Sequence, residues 1–357
     1  MRVLLLGEFS GFFTNLKRGL QELGVDVVLA SCNDSWKKID GSDILLFNNQ
    51  YNNSFEKMNN LVIEPLLRRR LLKGFDVVQM VHPIPYSMYI NKSMFNYIKK
   101  NNGKVFVSVA GDCYSVYKSY LDGKLGYYVY DNNPNNCKVY EEGNKKAKKR
   151  KVIESYVYDN VDGIIPIMYE YAVGVRELSH CKKTIPLPFD CSQIEYKPNR
   201  IVNKKIVIAH GIIREDYKGS AYIKEAMKII KERYPEKVEL AIDGRMPLRD
   251  YLKWLDRANI LIDQCKEHCY GMNALYAMAK GCVVLGGASR NSMNEFGLEK
   301  CPVLHIKPDV QQIVNQIEYL IENEDRIEEF GYKSRKFVEE FHDCKKIAQM
   351  YLDIWKK

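Results

Sequence analysis

The chain has no apolar run long enough to cross a bilayer. Stretches such as Val3–Leu6 and Ile206–Ala209 are four residues long, far below the roughly 18 or more that a span requires. The opening MRVLLLGEFSG meets Gly7 and Glu8 directly after its apolar run, so it reads as a first strand and not as a secretory leader. Ten cysteines contain no C-x-x-C pair, and the closest two, Cys265 and Cys269, have no second pair to complete a metal site. That pattern excludes a zinc ribbon and a disulfide framework, and points to reduced thiols in a cytoplasmic protein. No G-x-G-x-x-G follows the first strand, because the turn Gly7 to Gly11 has G-x-x-x-G spacing. A nicotinamide enzyme is disfavoured on that ground. No D-x-D stands at a turn after a strand, so no metal ligand is expected, and no cofactor is called for.

What is present is an ordinary globular composition with a basic balance: 46% hydrophobic, 28% charged and a net charge of +9 over 357 residues. Single cores stop growing near roughly 250 to 300 residues, so two domains are expected. The positive balance suits phosphorylated small molecules, nucleic acid or an anionic membrane surface. The densest basic run is Lys145, Lys146, Lys148, Lys149, Arg150 and Lys151, broken by Ala147. It has no interleaved aromatics to stack on bases, so nucleic acid is not expected. The run reads as a solvated helix face, with peripheral contact to an anionic membrane surface as its functional alternative. Arg68 to Arg70 sit among leucines in LLRRRLLKG, as on the polar side of an amphipathic helix.

Strand and helix signals alternate. RVLLLG precedes a helical pattern over Thr14 to Leu23, closed by Gly24, and then come VDVVLAS and DILLFN. FDVVQMVH, a helix around Met94 to Lys100, KVFVSVAG and DGIIPI continue the series. This alternation predicts a parallel sheet with helices on both faces. The irregular, proline-rich stretch from Pro186 to Lys205 marks a linker. A second alternation follows: KIVIAHG, a helix over Ala221 to Arg233, KVELAIDG, a helix over Leu248 to Asp256, ANILIDQ, a helix over Gly271 to Lys280, and CVVLGG. Helices over Val310 to Asn323 and Ser334 to Trp355 end the chain. The expected domains are 1–190, 191–335, and a closing segment 336–357 that returns to the first domain.

Doubly wound sheets bind ligands where the strands end, so the turns after the strands carry the chemistry. Gly11, in the first turn, can admit a ligand close to the backbone or simply make the turn tight. After KIVIAHG, the stretch Arg214 to Ser220 brings two cations and Gly219 to the start of a helix, which in outline suits a diphosphate. After ANILIDQ, the loop Lys266 to Asn273 again opens a helix, whose amides near Gly271, Met272 and Asn273 suit phosphate or sugar oxygens. Tyr276 lies one turn inward.

HGIIREDYKGSAYIKEAMKII and ANILIDQCKEHCYGMNALYAMAKGCVVLGG together resemble the C-terminal domain of the group-1 retaining glycosyltransferases, which have the GT-B fold: two Rossmann-like doubly wound α/β domains facing across a cleft. The resemblance implies that Lys218, in a K-G pair with Gly219, holds the donor diphosphate, with Arg214 as its partner arginine. The family's E-x7-E glutamates fall on His268 and Tyr276, so both carboxylates are replaced, while Tyr270 and Gly271 keep the intervening turn. The family's first-domain histidine falls on Ala110, leaving Asp112, and after it His82, as substitutes in the catalytic role beside His268. The implied activity is transfer, with retention and without a metal, of a sugar from a nucleotide-sugar donor, a UDP-sugar foremost, to a glycan or lipid-linked acceptor. The competing expectations are a catalytically inactive nucleotide-sugar-binding protein, given the lost carboxylates, and a GT-B-shaped epimerase.

Overall fold

The computed structural model describes residues 1–32, 39, 41–47, 51–111, 113–131, 137–141 and 143–357. It divides into two compact units. One comprises Met1–Leu125, Pro134–Pro188 and Cys344–Lys357, the other Gly126–Asn133 and Phe189–Asp343.

The first unit is built on a six-stranded sheet of β1 (Arg2–Leu6), β2 (Asp26–Ser31), β3 (Ile44–Leu45), β4 (Val77–Met80), β5 (Lys104–Val109) and β6 (Gly163–Pro166), in the order β3-β2-β1-β4-β5-β6. Every pairing is parallel. The strands are largely apolar, as in a sheet covered on both faces; Val3 to Leu6 are fully buried, and the buried Gln79 donates to the Ser108 hydroxyl at 3.0 Å. The strand order reverses between β1 and β4.

The second unit has β7 (Ile206–Ile212), β8 (Val238–Gly244), β9 (Ile260–Ile262), β10 (Val283–Gly286) and β11 (Leu304–His305), in the order β11-β10-β9-β7-β8, again all parallel. The helix Ser220–Arg233 buries Ile223, Ala226, Met227 and Ile230 in this core, the i, i+3, i+4, i+7 stripe of a core-facing helix. Here the order reverses between β7 and β9, which sets the crevice at their carboxyl ends.

The expected strands all form, and the short β11 is an addition. The single helix expected over Ser334 to Trp355 is instead two, Ile327–Phe341 and Cys344–Trp355. His342 breaks it. Its carbonyl accepts from the Phe189 amide at 2.6 Å and its Nε2 meets the Tyr270 hydroxyl at 3.0 Å, holding the residue out of the helical path. The closing helix packs on the first helix, Phe12–Glu22. A Cβ at Gly19 would lie 2.0 Å from the Cys344 carbonyl oxygen, so only glycine permits that approach. Trp355, 2% exposed, donates its indole N–H to Gln79 at 3.0 Å, and its carbonyl accepts from Lys104 Nζ at 3.1 Å. Among the described residues no helix is long and apolar enough to cross a membrane.

Candidate functional site

The two points of strand-order reversal differ in what lies above them. In the first unit, the turn after β1 is closed from within. The Glu8 carboxylate, 3% exposed, accepts from the amides of Gly11 at 3.0 Å, Phe13 at 3.4 Å and Thr14 at 2.7 Å, and from the Thr14 hydroxyl at 2.8 Å. The amides that would attract an anion at this helix start already hold one. Gly11 sits there with φ of 89°, a left-handed value that favours glycine. Its amide is bound to Glu8, so it serves the turn. His82, half-buried after β4, accepts from the Ile84 amide through Nδ1 at 3.0 Å, and its ring meets Phe9 edge-on at 6.1 Å. Asp112 lies outside the described residues.

In the second unit the reversal point carries an opposite arrangement. Lys218 follows β7 and Asp263 follows β9. Lys218 Nζ donates to Asp263 Oδ1 at 2.8 Å, the side chains being 9% and 1% exposed. Asn273 Nδ2 donates to the same oxygen at 2.6 Å. One carboxylate oxygen thus ties the loop after β7 to the first turn of the helix Met272–Lys280. An ammonium has three N–H groups, and Asp263 takes one. The helix starts at Gly271 with no side-chain cap and no acidic residue in its first turn, so its positive end faces no carboxylate of its own.

The backbone fixes this loop closely. Gly219 has φ of 72°, and a Cβ there would meet Cys265 Sγ at 2.4 Å. The Cys265 amide donates to the Lys218 carbonyl at 3.0 Å. Beneath the pair lies His210, fully buried. Its Nδ1 is 2.7 Å from the Ile262 carbonyl and its Nε2 2.9 Å from the Ser220 hydroxyl. A carbonyl only accepts, so Nδ1–H donates and Nε2 accepts from serine. That is the neutral ring, as expected where burial, and then the nearby Lys218 charge, push its pKa down to about 4.

The remaining residues singled out by sequence fall into different roles. Arg214 is exposed, its guanidinium 4.0 Å from the Tyr217 ring centre. His268, 5% exposed, has its Nε2 3.1 Å from the Tyr127 carbonyl and its Nδ1 3.2 Å from the Ser289 hydroxyl, and its ring stacks on Tyr127 at 4.4 Å. Both nitrogens are engaged, so His268 anchors the Tyr127 segment. Tyr270 is buried with its hydroxyl on His342, Met272 is 6% exposed in the core, and Tyr276 meets Phe189 edge-on at 5.0 Å. These three side chains pack, while Gly271 and Asn273 stay at the helix start beside Asp263. Lys218, Gly219, Gly271 and Asn273 are therefore brought together.

Sequence reading missed Asp263, His210 and Tyr127. The aromatic run in GYYVYD was the available signal for Tyr127, whose hydroxyl also lies 3.3 Å from His305 Nε2. A cavity of about 490 Å³ in the same unit is lined by Lys197, Asn199, Lys205 and Asn259 among others. These residues precede β7 and β9, so the cavity lies at the amino ends of the strands, away from this site.

No protein-family model matches the chain, and no curated protein matches it. Solved structures do. Sucrose-phosphate synthase from Thermosynechococcus elongatus aligns over 100% of this chain and 98% of its own, with a TM-score of 0.65 and 14% identity. Anabaena HepE, solved in complex with UDP and glucose, aligns over 100% of both chains with a TM-score of 0.63 and 10% identity. The UDP-GlcNAc 2-epimerase of Neisseria meningitidis, bound to UDP-GlcNAc, aligns over 99% of both with 0.54 and 12%. At these identities the likeness is one of fold: two Rossmann-like parallel-sheet units of the GT-B class.

Proposed function

We propose that the chain is a glycosyltransferase that binds a nucleotide-sugar donor, a UDP-sugar foremost, at the β7/β9 reversal point of its second unit. The observation that carries this is the convergence of Lys218, Asn273 and an uncapped helix start on one buried carboxylate, Asp263. A diphosphate placed there meets the two N–H groups of Lys218 not given to Asp263, together with helix-end amides, and the exposed Arg214 can close on it. As the sugar leaves, negative charge grows on the diphosphate, and fixed donors stabilise it more than they stabilise the ground state. These cations do the work that a divalent ion does in other transferases. The acceptor, a glycan or lipid-linked glycan, attacks on the face the diphosphate leaves, with retention. HepE and sucrose-phosphate synthase, transferase-class neighbours in fold, support the class of activity without fixing donor or acceptor.

A second reading, a nucleotide-sugar-binding protein without turnover, is favoured by one observation. Position 268 holds a histidine with both ring nitrogens engaged, and position 276 a tyrosine packed on Phe189, so neither supplies a carboxylate. Incubating the protein with a panel of nucleotide sugars and following nucleoside diphosphate release by chromatography separates the two. Release from one donor supports the transferase. Conversion of the sugar with no release is the mark of an epimerase, and binding with neither is the mark of the binding protein.

A further inference from the structure

The helix Lys145–Asn160 in the first unit opens with five lysines and one arginine in its first seven residues and no acidic residue in its first turn. Asn144 caps it, accepting from the amides of Lys146 and Ala147. The inner side is conventional, with Ala147, Ile153 and Val157 buried at 2%, 5% and 0% exposure. The outer side is not. Lys145 and Lys149, and Lys146 and Arg150, are like-charge pairs four residues apart, which oppose the helix. Lys145, Lys146 and Lys148 sit in the first turn, at the positive end of the macrodipole, where anions are favoured. Other surface cations find carboxylates, as Lys224, Arg233, Lys237 and Arg257 do. Among the described residues none of the six cations of this helix forms an ion pair.

The like-charge spacing and the macrodipole work against this arrangement, and only ring contacts offset them in part. A partner that supplies negative charge removes the conflict. The structure also puts aromatic rings where the sequence shows none. Lys149 lies 4.2 Å over the Tyr89 ring and Lys151 4.8 Å over Tyr114, while neighbouring Lys92 lies 4.0 Å over Tyr156. Tyr89 is 83% exposed and Val152, on the same helix, 60% exposed. Cations with an exposed tyrosine and an apolar side chain among them suit the boundary of a bilayer, where headgroups meet ammonium groups and an amphipathic ring is half-solvated. A nucleic-acid site would instead need the ring faces free for bases, and here lysines cover them.

We propose that this face docks the protein on an anionic lipid surface. It stands independently of the donor site, which belongs to the other unit. The test is co-sedimentation of the full chain with vesicles of phosphatidylcholine alone, or with about a third phosphatidylglycerol, at low and high salt. The proposal expects binding to the anionic vesicles only, lost at high salt as exposed charges are screened. Neutralising one lysine should weaken binding about fivefold. Lys145→Glu with Lys148→Glu and Lys149→Glu, all exposed, should abolish it with the melting temperature unchanged or raised, since reversal also satisfies the macrodipole. Tyr89→Ala should weaken binding yet keep its salt dependence. Equal binding of the triple variant, binding to neutral vesicles, or capture by heparin or RNA with none by vesicles would each overturn the proposal.

Discussion

Lys218 and Asp263 form a buried ion pair, 2.8 Å from Nζ to Oδ1, and the second oxygen of Asp263 has no hydrogen-bond partner among the described residues. A pair taken out of water is strongly destabilised when one member is removed, because the other charge stays behind. Lys218→Ala should therefore lower stability by about 3 to 5 kcal/mol in denaturant titrations. Lys218→Met combined with Asp263→Asn should recover most of it. If the single variant unfolds like the native protein, the pair is not buried as described.

Gly219 carries two constraints at once. Its φ of 72° disfavours a side chain, and a Cβ would press on Cys265 Sγ at 2.4 Å. Gly219→Ala should cost about 1 to 3 kcal/mol. Adding Cys265→Ala relieves the clash but not the backbone strain, so the double variant should regain only part of the loss. Full recovery would mean that the left-handed conformation costs nothing.

His210 gives the second unit an acid limit. Its folded pKa, about 4, lies below the ordinary value of 6.5. The unfolded chain therefore binds the extra proton between those two values, and stability rises with pH across that window. The contribution is full above about 6.5, falls as pH drops towards 4, and amounts to about 3 kcal/mol. His210→Gln should flatten the pH dependence of unfolding free energy by up to one proton between pH 4 and 6.5. An unchanged slope would show that the ring is charged in the fold.

His268 holds Tyr127 by stacking and through its carbonyl. His268→Ala should raise amide hydrogen exchange across residues 126–131 while exchange in β7, β9 and β10 stays as it was. Equal exchange in the segment would mean that other contacts hold it.

The parallel sheets were legible because strands covered on both faces read as near-continuous apolar runs, as in VLLL and IVIA. The position of Lys218 and Gly219 at a helix start was legible from spacing, and the structure has them there. Asp263 was not, since its role depends on β9 lying next to β7 although β8 intervenes in sequence. The two readings of Gly11, ligand approach or tight turn, could not be separated from sequence, because Glu8, three residues earlier, is seen to bond the turn amides only in the fold. The break at His342 escaped because its partners, Phe189 and Tyr270, are distant in sequence. From sequence the basic run reads as a solvated helix face with an anionic membrane surface as its alternative, because Tyr89 and Tyr114 come to it only in the fold.

Binding of a nucleoside diphosphate in the β7/β9 crevice is proposed to run through Lys218. Its most direct test is thermal stabilisation of the native chain and of the Lys218→Met/Asp263→Asn protein by UDP, GDP, ADP and CMP. A ligand at one hundred times its Kd contributes about 2.7 kcal/mol to the folded state. UDP should raise the melting temperature of the native protein by several degrees and leave that of the double variant unchanged. A native protein that none of the four stabilises at saturating concentration, or a double variant that UDP stabilises equally, would contradict it.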